Sequence, residues 1–215
     1  METKYETDIE RFLGFDPATL YEAAGLRGMV DPTIHPSWAG AQICGPAFTA
    51  VCPPGDNLML HHAEATAPPG VVIVATLGSY MLTGAWGEIL TVAAQSRGIN
   101  GLVVDGAVRD IEAIAQHRFP VFSRGLAIGA CTKERVGKLQ VPIVLGGATV
   151  SPGDLIFGNA DGVVVVESAR IEQVYEAAMA RQGREAHLMD QLRAGKTTLE
   201  LLKLPPLIES EVAGQ

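Results

Sequence analysis

Basic residues are scarce in this 215-residue chain: 16 Lys and Arg stand against 24 Asp and Glu, a formal net charge of −8. A field of that sign repels a polyanion and argues against a nucleic-acid partner. It leaves room for a single arginine to hold a small acid at contact distance. Cysteine is thin too, with Cys44, Cys52 and Cys131 the whole complement. An odd number without metal-ligand spacing excludes a disulfide scaffold and suits a reduced, cytoplasmic protein in which the thiols are small buried hydrophobes. No apolar run approaches the roughly 20 residues of a membrane-spanning helix. The stretch Met1-Glu-Thr-Lys-Tyr-Glu-Thr-Asp8 is polar and acidic, unlike a signal or transit peptide. No membrane partner is therefore expected.

Core-forming residues are plentiful. A hydrophobic content of 47% suffices for one packed domain over residues 1–215, with an N-terminal arm at 1–16 and C-terminal helices at 168–204 expected to pack on a neighbouring subunit. Pattern and punctuation predict helices at 9–13 (Asp8 as cap), 17–24 (Asp16 as cap, Pro17 first), 57–67, 88–97, 111–117, 168–191 (Ser168 as cap) and 197–203. Strands are expected at 45–52, 71–75, 102–104 and 119–123, and as short runs between tight turns from 141 to 167. That density of turns implies an α/β fold with a compact β-barrel-like or sandwich core surrounded by helices. Residues 27–40 read as a loop.

One stretch stands out. In Gly101-Leu-Val-Val-Asp-Gly-Ala-Val-Arg-Asp110, an apolar run reads as a buried strand ended by Asp105-Gly106, and Arg109 and Asp110 crowd its exit. Two readings compete: a surface ion pair with Asp110 capping a helix at Ile111, or a site held rigid by the strand behind it. Upstream, Gly84-Ala-Trp-Gly-Glu-Ile-Leu90 gives a helix with a glycine-rich entry, where unpaired amides can seat a carboxylate or phosphate. A helix-then-strand unit of this length can return Glu88 to the same sheet edge as Arg109. Asn57 is either a helix cap or a site residue, and Arg124 either reaches the crevice or ends a strand in solvent. His35 lacks a ligand partner, and the adjacent His61 and His62 point to different helix faces.

The ordered motifs Pro54-Gly-Asp-Asn57, Trp86-Gly-Glu88, the Gly101–Asp110 stretch, Phe119-Pro-Val-Phe122, Val150-Ser-Pro-Gly-Asp154 and Asp161-Gly-Val-Val-Val-Val166 resemble the 4-hydroxy-4-methyl-2-oxoglutarate and 4-carboxy-4-hydroxy-2-oxoadipate aldolases. That family is related to the regulator of ribonuclease E activity A. The resemblance covers roughly residues 20–200. It implies a swivelling-domain-like fold, a trimer or dimer of trimers, and a metal-dependent retro-aldolase that releases pyruvate and also decarboxylates oxaloacetate. Position by position it makes Asp110 the carboxylate for Mg²⁺ (or Mn²⁺) and Arg109 the substrate arginine. Gly87, Glu88, Ile89 and Leu90 become the backbone cradle for the carboxylate of a 2-oxo acid. Glu88 also matches an acidic position that orders metal-bound water, Asn57 a polar site residue, and Glu22 and Glu185 acidic positions contributed between subunits. Asn159 departs from the Asp of many relatives, in a turn that looks structural.

The chemistry is consistent, because a hard cation needs few protein ligands and a 2-oxo acid supplies two oxygens of its own. The general base for the C4 hydroxyl stays unassigned. Lys133 and Lys138, the candidates for Schiff-base chemistry, lie in a polar, turn-like stretch rather than on a buried strand, which argues against activation by desolvation. The other class of function is a non-enzymatic regulator of a ribonuclease, against which the joint presence of Glu88, Arg109 and Asp110 speaks. A methyltransferase would want a glycine-rich loop between strand and helix, whereas Gly146-Gly147 leads into short strands.

Overall fold

The computed structural model describes residues 11–205. In chain order these form a 3-10 turn (Arg11–Gly14), α1 (Pro17–Ala23), β1 (His35–Pro36), β2 (Ile43–Val51), α2 (Leu58–Thr66), β3 (Val72–Gly84), α3 (Glu88–Ser96), β4 (Gly101–Val108), α4 (Ile111–Gln116) and β5 (Val121–Leu126). There follow β6 (Lys138–Leu139), β7 (Ile143–Leu145), β8 (Ala148–Val150), β9 (Leu155–Asn159), β10 (Gly162–Val166), a 3-10 turn (Ser168–Arg170), α5 (Ile171–Arg193) and α6 (Thr198–Leu202).

The central strands β2, β3, β4 and β5 are parallel, joined by α2, α3 and α4, so their C-terminal ends share one edge. The sheet's main path runs β1-β5-β4-β3-β2-β9-β10, with β6 paired to β2 beside it. β2 serves three partners: Ile43 to Pro46 pair antiparallel with β9, Ala47 to Val51 pair parallel with β3, and Ala50 and Val51 pair antiparallel with β6. Residues 28–36 then bridge the two outer strands. Val30 N–H donates to Val163 O (3.1 Å) and Gly28 O accepts from Val165 N–H (2.8 Å) on β10, after which His35 and Pro36 pair with β5. Gly28 is required there, since its φ is +83° and a Cβ would lie 1.9 Å from Val165 O. One run of chain thereby closes the sheet into the expected barrel-like wall.

Side chains alternate across that wall. Val72 and Val74 of β3 join Ile43, Val103, Phe122, Ile156 and Val165 in the interior, with Leu145 and Val150 of the β7–β8 hairpin filling it. Ile73 and Ala75 face outward onto α2, α3 and α4 through Leu60, Leu90 and Ile114. A third cluster packs α1 and α5 on β9 and β10 through Leu20, Phe157, Val164, Val174 and Ala178. Burial pushes the Cys44 and Cys52 thiols up to about 12, which keeps them protonated and inert.

Several boundaries differ from the sequence reading. Asp105-Gly106 does not end a strand: β4 continues to Val108, because Arg124 and Ser79 satisfy the buried Asp105 carboxylate and Gly106 lies against Leu77 and the Tyr80 backbone. β3 likewise runs on to Gly84 through two register shifts. Ser168 does not cap the long helix; it opens a 3-10 turn, and its N–H donates to Asp154 Oδ1 (2.9 Å). Part of 27–40 is strand. The expected helix at 9–13 is a 3-10 turn from Arg11, its start and cap lying outside the described residues. α6 is fixed by a capping box in which Thr197 accepts from Glu200 N–H.

Candidate active site

The C-terminal ends of β3 and β4 are stitched together by the loop that opens α3. Ala85 N–H donates to Ala107 O (2.8 Å), and Arg109 N–H to Trp86 O (2.9 Å). Trp86 is fully buried, stacked on Phe119 with ring centroids 6.0 Å apart, and its Nε1–H donates to Thr91 Oγ1 (2.8 Å). Asn57 braces the loop from behind through Nδ2–H to Ala85 O (2.8 Å); its buried Oδ1 has no partner among the described residues. The platform is stiff on both sides.

Asp110 follows this platform with φ 58° and ψ 38°, a left-handed backbone that costs a non-glycine residue about 1 kcal/mol. It occupies the cap position of α4 but makes no side-chain cap hydrogen bond. Its carboxylate turns instead toward α3, where Oδ2 accepts from Glu88 N–H at 3.2 Å and lies 3.6 Å from Arg109 Nε. Both glycines of the loop are needed for this approach. A Cβ on Gly87 would lie 2.3 Å from Asp110 Oδ2, and one on Gly84 would lie 2.5 Å from Ala127 O and 2.8 Å from Arg109 Cβ. The sequence assigned these glycines to an incoming anion, whereas the carboxylate seated on the Glu88 amide is the protein's own. α-Helical geometry leaves the Ile89 and Leu90 amides without an intrahelical acceptor. Of those side chains Leu90 is core and Ile89 is 80% exposed, so only their backbone can serve a cradle.

Glu88 is half-exposed, and its Oε1 lies 3.3 Å from His117 Nε2. Two cavities meet at Asp110. One, of about 270 Å³, is bounded by Val108, Arg109, Ile111, Leu126, Ala127 and Ile128. The other, of about 520 Å³ and open, is bounded by Glu88, Ile111, Glu112, Ala113 and Gln116. Glu88, Arg109, Asp110 and the Gly87 turn thus come together as expected, with Asn57 one layer behind.

Glu22 and Glu185 do not join this constellation within the chain. Both bind Arg181, at 2.6 and 2.7 Å, where α1 meets α5. Arg124 is neither solvated nor in the crevice. It donates to Asp105 on one side and to Thr33 and Asp31 (3.2 Å) on the other, so it pins the closing run 28–36 to β4. Burial alone would lower its pKa, but the bonds to Asp105 and Asp31 outweigh that and raise it. The sequence reading missed Leu126, Ala127 and Ile128. Their signal was an apolar triplet directly after Arg124-Gly125, and Ala127 N–H donates to Val108 O (3.0 Å) beside Arg109.

A barrel-like α/β domain with arginine, carboxylate and free helix amides at one strand edge is a class of site suited to small organic acids. The chain belongs to the RraA-like family, described as Aldolase/RraA, whose model matches residues 17–165. A protein of Halalkalibacterium halodurans provisionally named a 4-hydroxy-4-methyl-2-oxoglutarate aldolase is 39% identical over 177 residues, 80% of this chain and 84% of that one. An uncharacterized protein of Pseudomonas syringae pv. tomato superposes with a TM-score of 0.81 at 30% identity, over 93% of this chain and 98% of the other. Streptomyces coelicolor RraAS2, described as an unusual member of the RNase ES inhibitor RraA family, superposes with a TM-score of 0.78 over 88% of this chain and 98% of its own. At 22% identity that last likeness speaks for the fold alone.

Proposed function

We propose that this chain is a divalent-metal-dependent carbon–carbon lyase that cleaves a 4-hydroxy-2-oxo di- or tricarboxylic acid to release pyruvate, and decarboxylates oxaloacetate at the same site. The observation that carries the reading is the Asp110 carboxylate, held in a strained backbone between the Glu88 amide and Arg109 with no capping duty. The 39% identical aldolase homologue supports it.

The residues fit a hard cation. No group of three His, Cys, Asp or Glu that could hold a metal occurs among the described residues, which disfavours a closed zinc-type site. One exposed carboxylate, with Glu88 and Glu112 around an open cleft, suits Mg²⁺ or Mn²⁺ that keeps most of its water. A bound ion would supply Lewis-acid polarisation of the keto oxygen.

Asp110 would hold the metal, and the Ile89 and Leu90 amides would orient the substrate's 1-carboxylate. Arg109 would stabilise the charge that gathers on the keto oxygen as the C3–C4 electron pair flows toward it. C4 becomes a carbonyl as its hydroxyl loses a proton, and C3 is protonated to give pyruvate. Glu88 would take the hydroxyl proton through water, its Oε1 lying 3.3 Å from His117 Nε2, which would orient it. Oxaloacetate needs no such base, since CO₂ departs and leaves the same enolate.

The same proposal makes the protein a trimer or dimer of trimers, whose neighbouring subunit covers the exposed Leu82 and Ile89 and meets Glu22 or Glu185. The test is pyruvate release from 4-hydroxy-4-methyl-2-oxoglutarate and from oxaloacetate, with Mg²⁺ and with EDTA, for wild type and Asp110→Ala. Metal-dependent release lost in the variant is expected. Activity surviving both treatments would refute the metal mechanism, and no turnover together with capture of a ribonuclease would favour the regulator.

A further inference from the structure

A separate cavity of about 380 Å³ lies between the end of α1, β10 and the β7–β8 hairpin, and it shares no lining residue with the two cavities at Asp110. Its size falls within the range of small-molecule pockets. The lining includes Ala24, Ala148 and Val165, which are buried, and Leu26 and Met29, which are 64% and 57% exposed. Leu26 also has φ 60°, a left-handed backbone that leucine adopts only at a cost. Five polar side chains line the same space: Tyr21, Arg27, Thr149, Glu167 and Arg170. Among the described residues, Arg27, Glu167 and the Tyr21 and Thr149 hydroxyls have no side-chain hydrogen bond or ion pair. Arg170 spends Nη1 on Ala24 O (3.2 Å) and Nε on Gln173 Oε1 (3.4 Å), which leaves three of its five N–H donors. Two arginines and one glutamate give the lining a single net positive charge.

We propose that this cavity is a second binding site, for an organic monoanion: one carboxylate on an apolar or aromatic body. The carboxylate pairs with Arg27 and with the remaining donors of Arg170, the geometry in which a guanidinium binds best. The body lies over Ala24 and Val165 and covers Leu26 and Met29, whose burial is favourable. Glu167 sets the charge limit. A second negative group on the ligand meets its carboxylate with no cation left to answer it, so the site selects against dianions. Inorganic phosphate is a poor fit for another reason, having no apolar body to cover the rim. The site is thus unlike the one at Asp110, both in place and in the acids it takes, and it does not depend on the chemistry proposed there.

The experiment is isothermal titration of the full chain, with Mg²⁺ present, by benzoate, benzamide, phthalate and inorganic phosphate. Benzoate is expected to bind with a Kd of about 0.1–1 mM, and the other three at least about 10-fold more weakly. Arg27→Ala should weaken benzoate by about 10-fold with an unshifted melt, because the replaced side chain is exposed and unpaired. Glu167→Gln should act in the opposite sense, tightening benzoate and improving phthalate by about 10-fold. Asp110→Ala should leave benzoate binding as it is. Absence of benzoate binding at about 10 mM, or phosphate or phthalate bound as tightly as benzoate by wild type, overturns the proposal. So does benzoate binding that Arg27→Ala leaves unchanged in a protein that melts normally, and its loss in Asp110→Ala would then place the anion at the β4 exit.

Discussion

Replacing Asp110 by glycine should separate stability from activity in opposite directions. At φ 58° glycine adopts the native backbone freely, which recovers about 1 kcal/mol. Against this stands the lost hydrogen bond from Glu88 N–H, 3.2 Å long to a carboxylate whose side chain is 43% exposed, worth about 0.5 kcal/mol after solvent competition. The freed amide can turn to water. Removing one carboxylate from the cleft shared with Glu88 and Glu112 adds a small further gain. The balance is a stabilisation of about 0.5 kcal/mol, which for a chain of this size raises Tm by about 1–2 °C. Under the proposed mechanism activity should fall by at least about 10³-fold, since the carboxylate that would hold the metal is gone. Thermal melts by circular dichroism and a coupled assay for pyruvate read both quantities on one preparation. A Tm drop of more than about 4 °C would show that the carboxylate holds the strand exit together, refuting the bookkeeping. Retained turnover would show that Asp110 is not the site.

Other perturbations probe the platform and the contacts that hold the fold together. Gly87→Ala places a Cβ 2.3 Å from Asp110 Oδ2 and must push that carboxylate by about 1 Å, so turnover should fall by about 10²-fold with little change in Tm, because φ at Gly87 is an ordinary extended −154°. Arg124→Ala strands the buried Asp105 and frees the closing run, and chemical denaturation should show a loss of about 3–5 kcal/mol. His117→Ala should lower kcat with KM little changed, because it releases Glu88 without touching the 2-oxo acid, and His117→Gln should restore part of the loss through its own N–H; equal effects of the two variants would refute the orienting role. Burial raises the pKa of Asp56, but hydrogen bonds from Glu134 N–H, Thr132, Leu58 N–H and Arg135 N–H outweigh it and hold the pKa well below the usual range. A depressed folded pKa makes this stabilisation complete above the unfolded carboxylate value of about 4 and lost as pH falls below it, so Asp56→Asn should flatten the acid limb of the stability curve and leave its slope above pH 6 unchanged.

Much of this was legible because it is local. The Gly84-Ala-Trp-Gly87 entry, the amphipathic run after it and the polar exit at Arg109-Asp110 declare a helix and a strand end within a few residues, and the parallel return places both on one edge. What stayed hidden depends on long-range partners. Asp105-Gly106 reads as a turn, and Arg124, arriving from β5 with Asp31 behind it, together with Ser79 from β3 makes it strand interior. Arg124 itself looks like a solvated terminus until the fold brings residues 28–36 over it. Glu22 carries no sequence sign that Arg181 reaches it from the long helix, although the Arg181–Glu185 pair itself stands at i,i+4 spacing. Ile128 is an apolar residue in a loop, indistinguishable in sequence from a core residue until its exposure is known.

β4 shows how one strand can serve two purposes with the same side chain. Asp105 and Asp110 lie five positions apart on one segment of chain. The first is buried and neutralised internally by Arg124 and Ser79, so its charge helps to hold the barrel closed and has nothing left to offer a ligand. The second sits past the last residue of the strand, with one amide contact and an arginine at a loose 3.6 Å, and keeps most of its lone pairs turned outward. In a chain of net charge −8, a carboxylate left so weakly paired and strained by its backbone is what the proposed cation site would need. A cation bound there would relieve the repulsion among Asp110, Glu88 and Glu112 as it binds. Its affinity should therefore weaken when either glutamate is made neutral, even though neither is required as a direct ligand.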